Sequence, residues 1–425
     1  MRVAPFGLGL LCASALFACG SGLAFAPDTV TIHGSLVATN GLPVPKASYW
    51  PADGAQPIRG AQLGAPLPPG SFQTDAVGRF FLYGFGASYD LTFAQPSDRT
   101  DLTMVRGITR RDPVVELPTI GPTPTQSCHV DVAWGGDLPA GAKVAWFLDS
   151  AGTASVRFDS LVQVDDDLAH GLTATWHGSQ ATTANLNGLV YLADASGKPT
   201  SFVGNGYSYV YLKNASSAFV GLQLQTIDSS PATLTTTMPD GFALDAVNVS
   251  ADHGFRSTTF APFTIDAASL PASFTVPDFV SNRYVTSVDA HHAGELSHGV
   301  SFGTSYANQT FAIAVDLPAA PALSTPADGA TDVDATTPFT FTGDGVTEVI
   351  FTPVGDGPKV RIVTTEKTVD LGMLPDVSAF VSGARFTWTV RRWPFIPTVD
   401  AFVDPNVDLR ATSSATSAPR TFTWK

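Results

Sequence analysis

The 425-residue sequence has little charge, because Asp, Glu, Lys and Arg together make up only 14% of it. Glu occurs four times and Lys seven times, against 33 Asp and 16 Arg. Glu and Lys populate exposed helix faces, whereas Asp, Gly and Pro populate turns. This balance, together with 38 Gly and 32 Pro, excludes a helical protein. The hydrophobic fraction of 44% excludes a disordered chain, and the net charge of −14 disfavours nucleic acid as a partner.

Cysteine is also scarce, with three residues in the whole chain. Cys12 and Cys19 lie in an N-terminal stretch that has the features of a targeting segment, and this leaves Cys128 without a partner. An intrachain disulfide framework is therefore excluded, and we expect the stability to come from packed cores.

The first 26 residues have the composition of an export signal. Arg2 precedes an uncharged, largely apolar run over residues 3–18, which is too short for an ordinary membrane span. Two cleavage sites compete. The small-residue pattern Ala24-Phe25-Ala26 precedes Pro27, and signal peptidase accepts a proline poorly at that position. Leu16-Phe17-Ala18-Cys19-Gly20, in contrast, resembles a bacterial lipobox.

The lipobox resemblance implies an exported, lipid-anchored protein. Residues 1–18 would be the lipoprotein signal peptide, Cys19 the lipidated residue, and 19–27 a short tether to the membrane. Gly20 resembles the residue that follows the cysteine in lipoproteins sent to the outer membrane. The alternative is a secreted protein cut after Ala26.

Beyond residue 28 nearly every window has the pattern of short strands separated by turns. The sequence therefore predicts an all-β fold of tandem β-sandwich modules. Tyr89–Phe93 alternates strictly and predicts a strand, whereas 411–419 predicts an irregular loop before the last strand. The predicted modules, of which the two in the middle could form a single domain, are 28–119, 122–226, 227–317 and 319–425.

Ordered motifs in the first module point to a family. They are Val30-x-x-x-Gly34, Asn40-Gly41-Leu42-Pro43, Thr74-Asp75-x-x-Gly78-x-Phe80 and Gly86-x-x-Tyr89. In this order they resemble the carboxypeptidase regulatory-like domain, a transthyretin-type seven-stranded sandwich. The resemblance implies a non-catalytic module, because the zinc-binding domain of the peptidase is absent. From the residues themselves we expect a tight turn at Asp75–Gly78 and inward anchors at Phe80 and Tyr89.

The last module opens on a different motif. Pro326-Ala327-Asp328-Gly329-Ala330-Thr331-Asp332-Val333 resembles the opening "P-x-x-G-A-x-x-V" of bacterial fibronectin type III or Ig-like modules. The strand spacing that follows, with Trp388 predicted to point inward, fits a sandwich core.

One short segment concentrates metal-ligating residue types. His291, His292, Glu295 and His298 lie within eight residues, and imidazole and carboxylate groups are common ligands of transition metals. The segment lacks the H-E-x-x-H order, and Gly294 argues against a helix that would align its side chains. A solvated polar loop is the simpler interpretation, so we expect no metal or other cofactor here.

The sequence carries no C-x-x-C pair and no phosphate-binding glycine loop. The leading hypothesis is therefore a non-enzymatic lipoprotein of the cell envelope, with a binding, adhesion or scaffolding role toward a glycan, a peptide or another envelope protein. Two alternatives remain, a metal-dependent hydrolase built on His291, His292, Glu295 and His298, and an inert structural spacer.

Overall fold

In the computed structural model the protein is almost entirely β-structure, as the composition predicts. The predicted signal segment, Cys19 and the Asn40-Gly41 pair lie outside the described residues. Among the residues that the structure describes, no helix has the length and apolar character needed to cross a bilayer. The stretches that the structure describes are 30–39, 42–53, 72–85, 88–94, 101–118, 125–150, 156–158, 163–165, 172–195, 199–252, 271–278, 283–304, 311–375 and 377–425.

The first seven strands form two facing sheets, here called the first sandwich. They are β1 (Val30–Ala38), β2 (Ser48–Asp53), β3 (Phe72–Gln73), β4 (Arg79–Phe85), β5 (Tyr89–Ala94), β6 (Leu102–Ile108) and β7 (Val114–Leu117). One sheet has the order β4-β1-β7 and the other contains β3-β2-β5-β6. β1 is antiparallel to β4 and parallel to β7. Between the sheets lies a core that includes Leu36, Phe80 and Phe93.

The predicted turn before β4 is confirmed. The Asp75 carboxylate accepts hydrogen bonds from the amides of Val77 and Arg79, at 2.9 and 2.8 Å. Gly78 has a φ of 74°, which a residue with a side chain rarely adopts. Phe80 and Tyr89 are both buried, and the Tyr89 hydroxyl donates to the carbonyl of Arg110 at 2.6 Å. A local sequence pattern thus fixes both the turn and the direction of the first core side chains.

The next nine strands form the second sandwich. They are β8 (Thr125–Gly135), β9 (Lys143–Ser150), β10 (Val156–Phe158), β11 (Gln163–Asp165), β12 (Leu172–Gly178), β13 (Ala181–Ala193), β14 (Pro199–Lys213), β15 (Ser216–Gln223) and β16 (Gln225–Thr226). The two sheets have the orders β10-β12-β8-β15 and β11-β9-β13-β14-β16. Their shared core includes Trp146 and Trp176.

The following six strands form the third sandwich. They are β17 (Asp228–Thr237), β18 (Ala243–Asp252), β19 (Ala272–Asp278), β20 (Arg283–His292), β21 (Glu295–Thr304) and β22 (Phe311–Asp316). β19-β17-β22 is one sheet, and β18-β20-β21 faces it as part of a larger sheet.

One strand plan recurs in these three sandwiches, although no sequence repeat is visible. The opening strand (β1, β8 or β17) lies beside one antiparallel and one parallel neighbour. The facing sheet contains the orders β2-β5-β6, β9-β13-β14 and β18-β20-β21. By this correspondence β6, β14 and β21 are equivalent strands.

The last nine strands form the fourth sandwich. They are β23 (Leu323–Thr325), β24 (Ala330–Val333), β25 (Phe339–Phe341), β26 (Val346–Pro353), β27 (Val360–Thr364), β28 (Thr368–Val369), β29 (Arg385–Trp393), β30 (Ser414–Thr416) and β31 (Arg420–Trp424). A one-turn helix α1 (Val399–Phe402) and two 3₁₀ turns (Leu371–Met373 and Leu409–Ala411) complete it. β23-β25-β28 packs against a sheet that contains β27-β26-β29-β31.

The fourth sandwich joins the first and the third through a continuous sheet, here called the shared sheet. β6 of the first sandwich lies parallel to β27, with Leu102 opposite Val360. β21 of the third lies antiparallel to β30, with Ser297 opposite Ala415. Both joining strands are the equivalent strands defined above, so the same edge of two sandwiches is capped by the fourth.

The shared sheet has apolar residues on both faces where the first and fourth sandwiches meet. On one face Val105, Val363 and Trp393 belong to the core beneath β1, β4 and β7. On the other face Trp50 and Met104 belong to the core beneath β23, β25 and β28. The two sandwiches therefore overlap along a common middle layer.

The strand predicted at Tyr89–Phe93 is present as β5, and all six of its residues are buried, including Asp90 and Thr92. One sequence prediction is wrong in this region. The segment 411–419 is not wholly irregular, since β30 pairs there with both β21 and β29. Contacts between distant parts of the chain override the local pattern at this place.

Gly34 provides a test of the first core. A Cβ at this position would lie 2.0 Å from the Phe80 ring, well inside van der Waals contact. We expect Gly34→Ala to lower the free energy of unfolding by about 1–3 kcal/mol, because the ring has to leave its place in the core. The control is Gly221→Ala in β15, where no atom lies within 4 Å. Equal stability of the two variants in urea titrations would contradict this packing.

Candidate functional site

The segment that contains His291, His292, Glu295 and His298 is a β-hairpin, so the expectation of a solvated polar loop is wrong. β20 ends at His292 and β21 begins at Glu295, so Ala293 and Gly294 form a two-residue turn. Their φ values of 46° and 89° match the mirror-image turns that connect twisted strands. The expectation that Gly294 opposes a helix is therefore confirmed.

The hairpin sends its histidines to different partners. His291 Nδ1 lies 2.5 Å from Asp245 Oδ1, and His298 Nδ1 lies 2.7 Å from Asp289 Oδ1. His292 Nδ1 lies 2.8 Å from the carbonyl oxygen of Gly241. In the ladder, His292 lies opposite Glu295, and His291 lies opposite Leu296. Adjacent pairs of a ladder face opposite sides of the sheet, so His291 and His292 point in opposite directions.

The structure thus does not assemble His291, His292, Glu295 and His298 into one site. Among the described residues no group of three or more His, Cys, Asp or Glu side chains is placed to hold a metal ion. Cys128 is buried, with Sγ 3.7 Å from the Ser216 hydroxyl.

The tryptophans do not form an exposed platform. Trp50, Trp146, Trp176, Trp388, Trp393 and Trp424 are buried. Trp134 is half-buried, with its ring centroid 5.7 Å from that of Trp146.

A cavity of about 420 Å³ lies where the first sandwich meets the fourth. Its floor is the outer face of β26, β27 and β29, and β7 and residues 402–409 form its walls. Such junctions between modules are common positions for ligand sites. Three of its charged groups, Glu348, Arg361 and Arg391, however, already have partners within the protein.

Arg361 is the central polar residue of the cavity. Its Nε donates to the Glu348 carboxylate, and its Nη1 donates to the carbonyl of Glu116 at 2.5 Å. Burial lowers the pKa of Arg361 to about 10, and the nearby Glu116 carboxylate raises it in part. Arg391 lies 4.6 Å above the Trp393 ring and donates to the Ser414 hydroxyl at 3.1 Å. This network links β7 to β27 and is best explained as part of the junction.

A row of exposed aromatic residues lies on the second sandwich. Tyr207, Tyr209 and Tyr211 occupy successive outward positions of β14 and are 59%, 69% and 64% exposed. Opposite them on β13 lie Asn187, Asn185 and Thr183, in that order. We call these six residues the tyrosine face.

The tyrosine face continues a surface that is otherwise covered. Further along the same side of the sheet, Leu189, Tyr191 and Phe202 are buried in a cluster that they share with the third sandwich. The covered part is apolar, whereas the uncovered part combines aromatic rings with amides and a hydroxyl. The arrangement offers a flat contact surface next to a rigid support.

The sequence contains a signal for this surface that lies outside the motifs described above. Tyr207-Ser-Tyr209-Val-Tyr211-Leu alternates with a period of two, and this places the three tyrosines on one face of a strand. If the three tyrosines are taken as the apolar half of an alternating strand, they are predicted to point into the core. Only the burial of Val210 and Leu212 on the opposite face shows which side is exposed.

The separation of the histidines predicts weak metal binding. In an isothermal titration with zinc at neutral pH, we expect no one-to-one site that depends on this hairpin. A stoichiometric zinc site that is lost in both His291→Ala and His298→Ala would contradict the structure.

The buried ion pair predicts a large effect on stability. Glu348→Gln leaves the Arg361 guanidinium buried without its counter-charge, so we expect the free energy of unfolding to fall by about 3 kcal/mol in urea titrations. The matched control is Glu366→Gln. Glu366 pairs with Arg106, but its side chain is 56% exposed, and we expect a loss below about 1 kcal/mol. Similar losses in both variants would show that Arg361 does not depend on the pair.

Comparisons with known proteins give similarity to solved structures alone. No family model and no curated protein matches the chain. A leucine-rich repeat protein from Bacteroides thetaiotaomicron is 11% identical with a TM-score of 0.17, and the match covers 46% of this chain and 26% of that one. A streptococcal ancillary pilin is 11% identical with a TM-score of 0.18, over 71% of this chain and 95% of the pilin. The major pilin subunit BcpA of Bacillus cereus is 8% identical with a TM-score of 0.16, over 68% and 99%. At these values no function is carried over from any of them.

Proposed function

We propose that this protein is an exported, non-catalytic binding protein of the bacterial cell envelope. Its β-sandwiches hold the tyrosine face toward a ligand, and a lipid on Cys19 anchors the chain to the outer membrane. The observation that carries the binding role is the row of Tyr207, Tyr209 and Tyr211. Exposed apolar surface of this kind marks interaction sites, and tyrosine supplies contact area at a low entropic cost.

The architecture supports a role in presentation. The fourth sandwich holds the first and the third through strand pairing, and the second shares a buried cluster with the third. A face on the second sandwich is therefore held by packed neighbours. We propose that the modules are 28–119, 122–226, 227–317 and 319–425. The first would be a carboxypeptidase regulatory-like domain and the last a fibronectin type III or Ig-like module.

Binding to cell envelopes tests the proposed function. We expect the purified protein to sediment with envelopes from the bacterium that produces it. The measurement is made in mild detergent, which keeps the acyl chains in solution, so that sedimentation does not result from lipid insertion. Replacing Tyr207, Tyr209 and Tyr211 together by Ser should reduce binding at least tenfold, because three contact rings are lost. The thermal midpoint should change little, since these side chains are exposed.

The control for this experiment is Phe219→Ser. Phe219 is 73% exposed on β15, in the opposite sheet of the same sandwich, so the variant removes an exposed aromatic residue outside the tyrosine face. It should bind envelopes like the unaltered protein. Absence of binding by the unaltered protein would instead favour the inert spacer.

A further inference from the structure

We infer that the tyrosine face binds a neutral glycan chain. This inference rests on the proposed binding function and names its ligand class. It follows from the arrangement of rings, polar groups and charge on that face.

The three rings form a row suited to a linear ligand. Alternate residues of a strand are separated by about 6.7 Å, so the row spans roughly 13 Å along β14. The C–H faces of pyranose rings pack against aromatic rings, and the tyrosine hydroxyl keeps the outer edge polar. A row of rings therefore favours several linked sugar units over a single small molecule.

The neighbouring strand supplies the groups that sugar hydroxyls need. Asn185 and Asn187 lie directly opposite Tyr209 and Tyr207, and both are partly exposed. Each side-chain amide offers two donors and one acceptor, and the Thr183 hydroxyl adds one of each kind. The apolar row and the polar row run side by side, as a chain with apolar faces and hydroxylated edges requires.

Charge selects the class of polymer. The six residues of the tyrosine face are uncharged. Lys213 follows at the end of β14, and Asp149 of β9 lies opposite Asn185 on the other side of β13. The protein as a whole has a net charge of −14, which repels nucleic acid and acidic polysaccharides. A neutral chain matches the face and avoids this repulsion.

The size of the surface argues against a stable protein partner. Three tyrosines that are 59–69% exposed present on the order of 400 Å². A standard protein interface needs about 800 Å² on each partner. The row is sufficient for a few sugar units and small for a folded protein or a second copy of this chain.

Affinity electrophoresis of the purified protein tests the inference. Native gels would contain one polymer each: mixed-linkage β-glucan, mannan, galactomannan or dextran as neutral probes, and alginate as an acidic probe. We expect retardation by at least one neutral polymer and none by alginate. The triple variant with Ser at 207, 209 and 211 should lose at least tenfold in affinity, whereas Phe219→Ser should migrate like the unaltered protein.

A second variant separates ring stacking from loss of structure. Asn185→Ala combined with Asn187→Ala keeps all three rings and should weaken retardation severalfold at an unchanged thermal midpoint. Retardation that persists in the triple variant would overturn the inference, as would retardation by alginate alone or by no polymer.

Treated envelopes distinguish this inference from the proposed function. Periodate, which cleaves vicinal diols of sugars, should abolish the tyrosine-dependent binding to envelopes, and protease treatment should leave it. The reverse pattern would mean that the face binds a protein, so the glycan inference would fail while the binding function stands. If neither the triple variant nor the treatment of the envelopes reduces binding, the glycan inference and the proposed binding function both fail.

Discussion

The pairing of β6 with β27 is the interaction on which the arrangement of the described chain depends. It joins strands more than 250 residues apart in the sequence, so that one sheet of the first sandwich is continuous with one sheet of the fourth. Polar contacts surround it: the Asp400 carboxylate accepts from the amides of Thr109 and Arg110 at 2.7 and 2.9 Å. Because the sheet is apolar on both faces at this junction, separating the sandwiches would expose parts of two cores as well as a strand edge.

The recurring strand plan explains why one surface is available for binding. β6, β14 and β21 hold the same place in their sandwiches, and β6 and β21 are joined to the fourth sandwich. β14 is paired with β13 along its length and with β16 only at Gly204 and Asn205. Its outer face is covered near Phe202 by the third sandwich and exposed from Tyr207 onward. The fold therefore uses two equivalent strands for assembly and leaves part of the third exposed.

Local patterns in the sequence predicted local structure well. The Asp75–Gly78 turn, the inward position of Phe80 and the non-helical character of Gly294 depend on neighbours in the chain, and all three are confirmed. The prediction for residues 411–419 was wrong, because β30 pairs there with β21 of the third sandwich and with β29, and the local sequence carries no information about these neighbours. The tyrosine face lay between these cases, since its period was visible and its exposure was not.

Hydrogen exchange at the backbone amides of β6 in the intact protein tests the shared sheet most directly. The Leu102 amide donates to the carbonyl of Lys359 at 2.9 Å and faces away from β5. We predict that this amide exchanges as slowly as the amides that bond β5 to β6, because both kinds open only when the joined sandwiches unfold. Exchange of the Leu102 amide at the rate of a free strand edge, while the β5–β6 amides stay protected, would contradict the shared sheet.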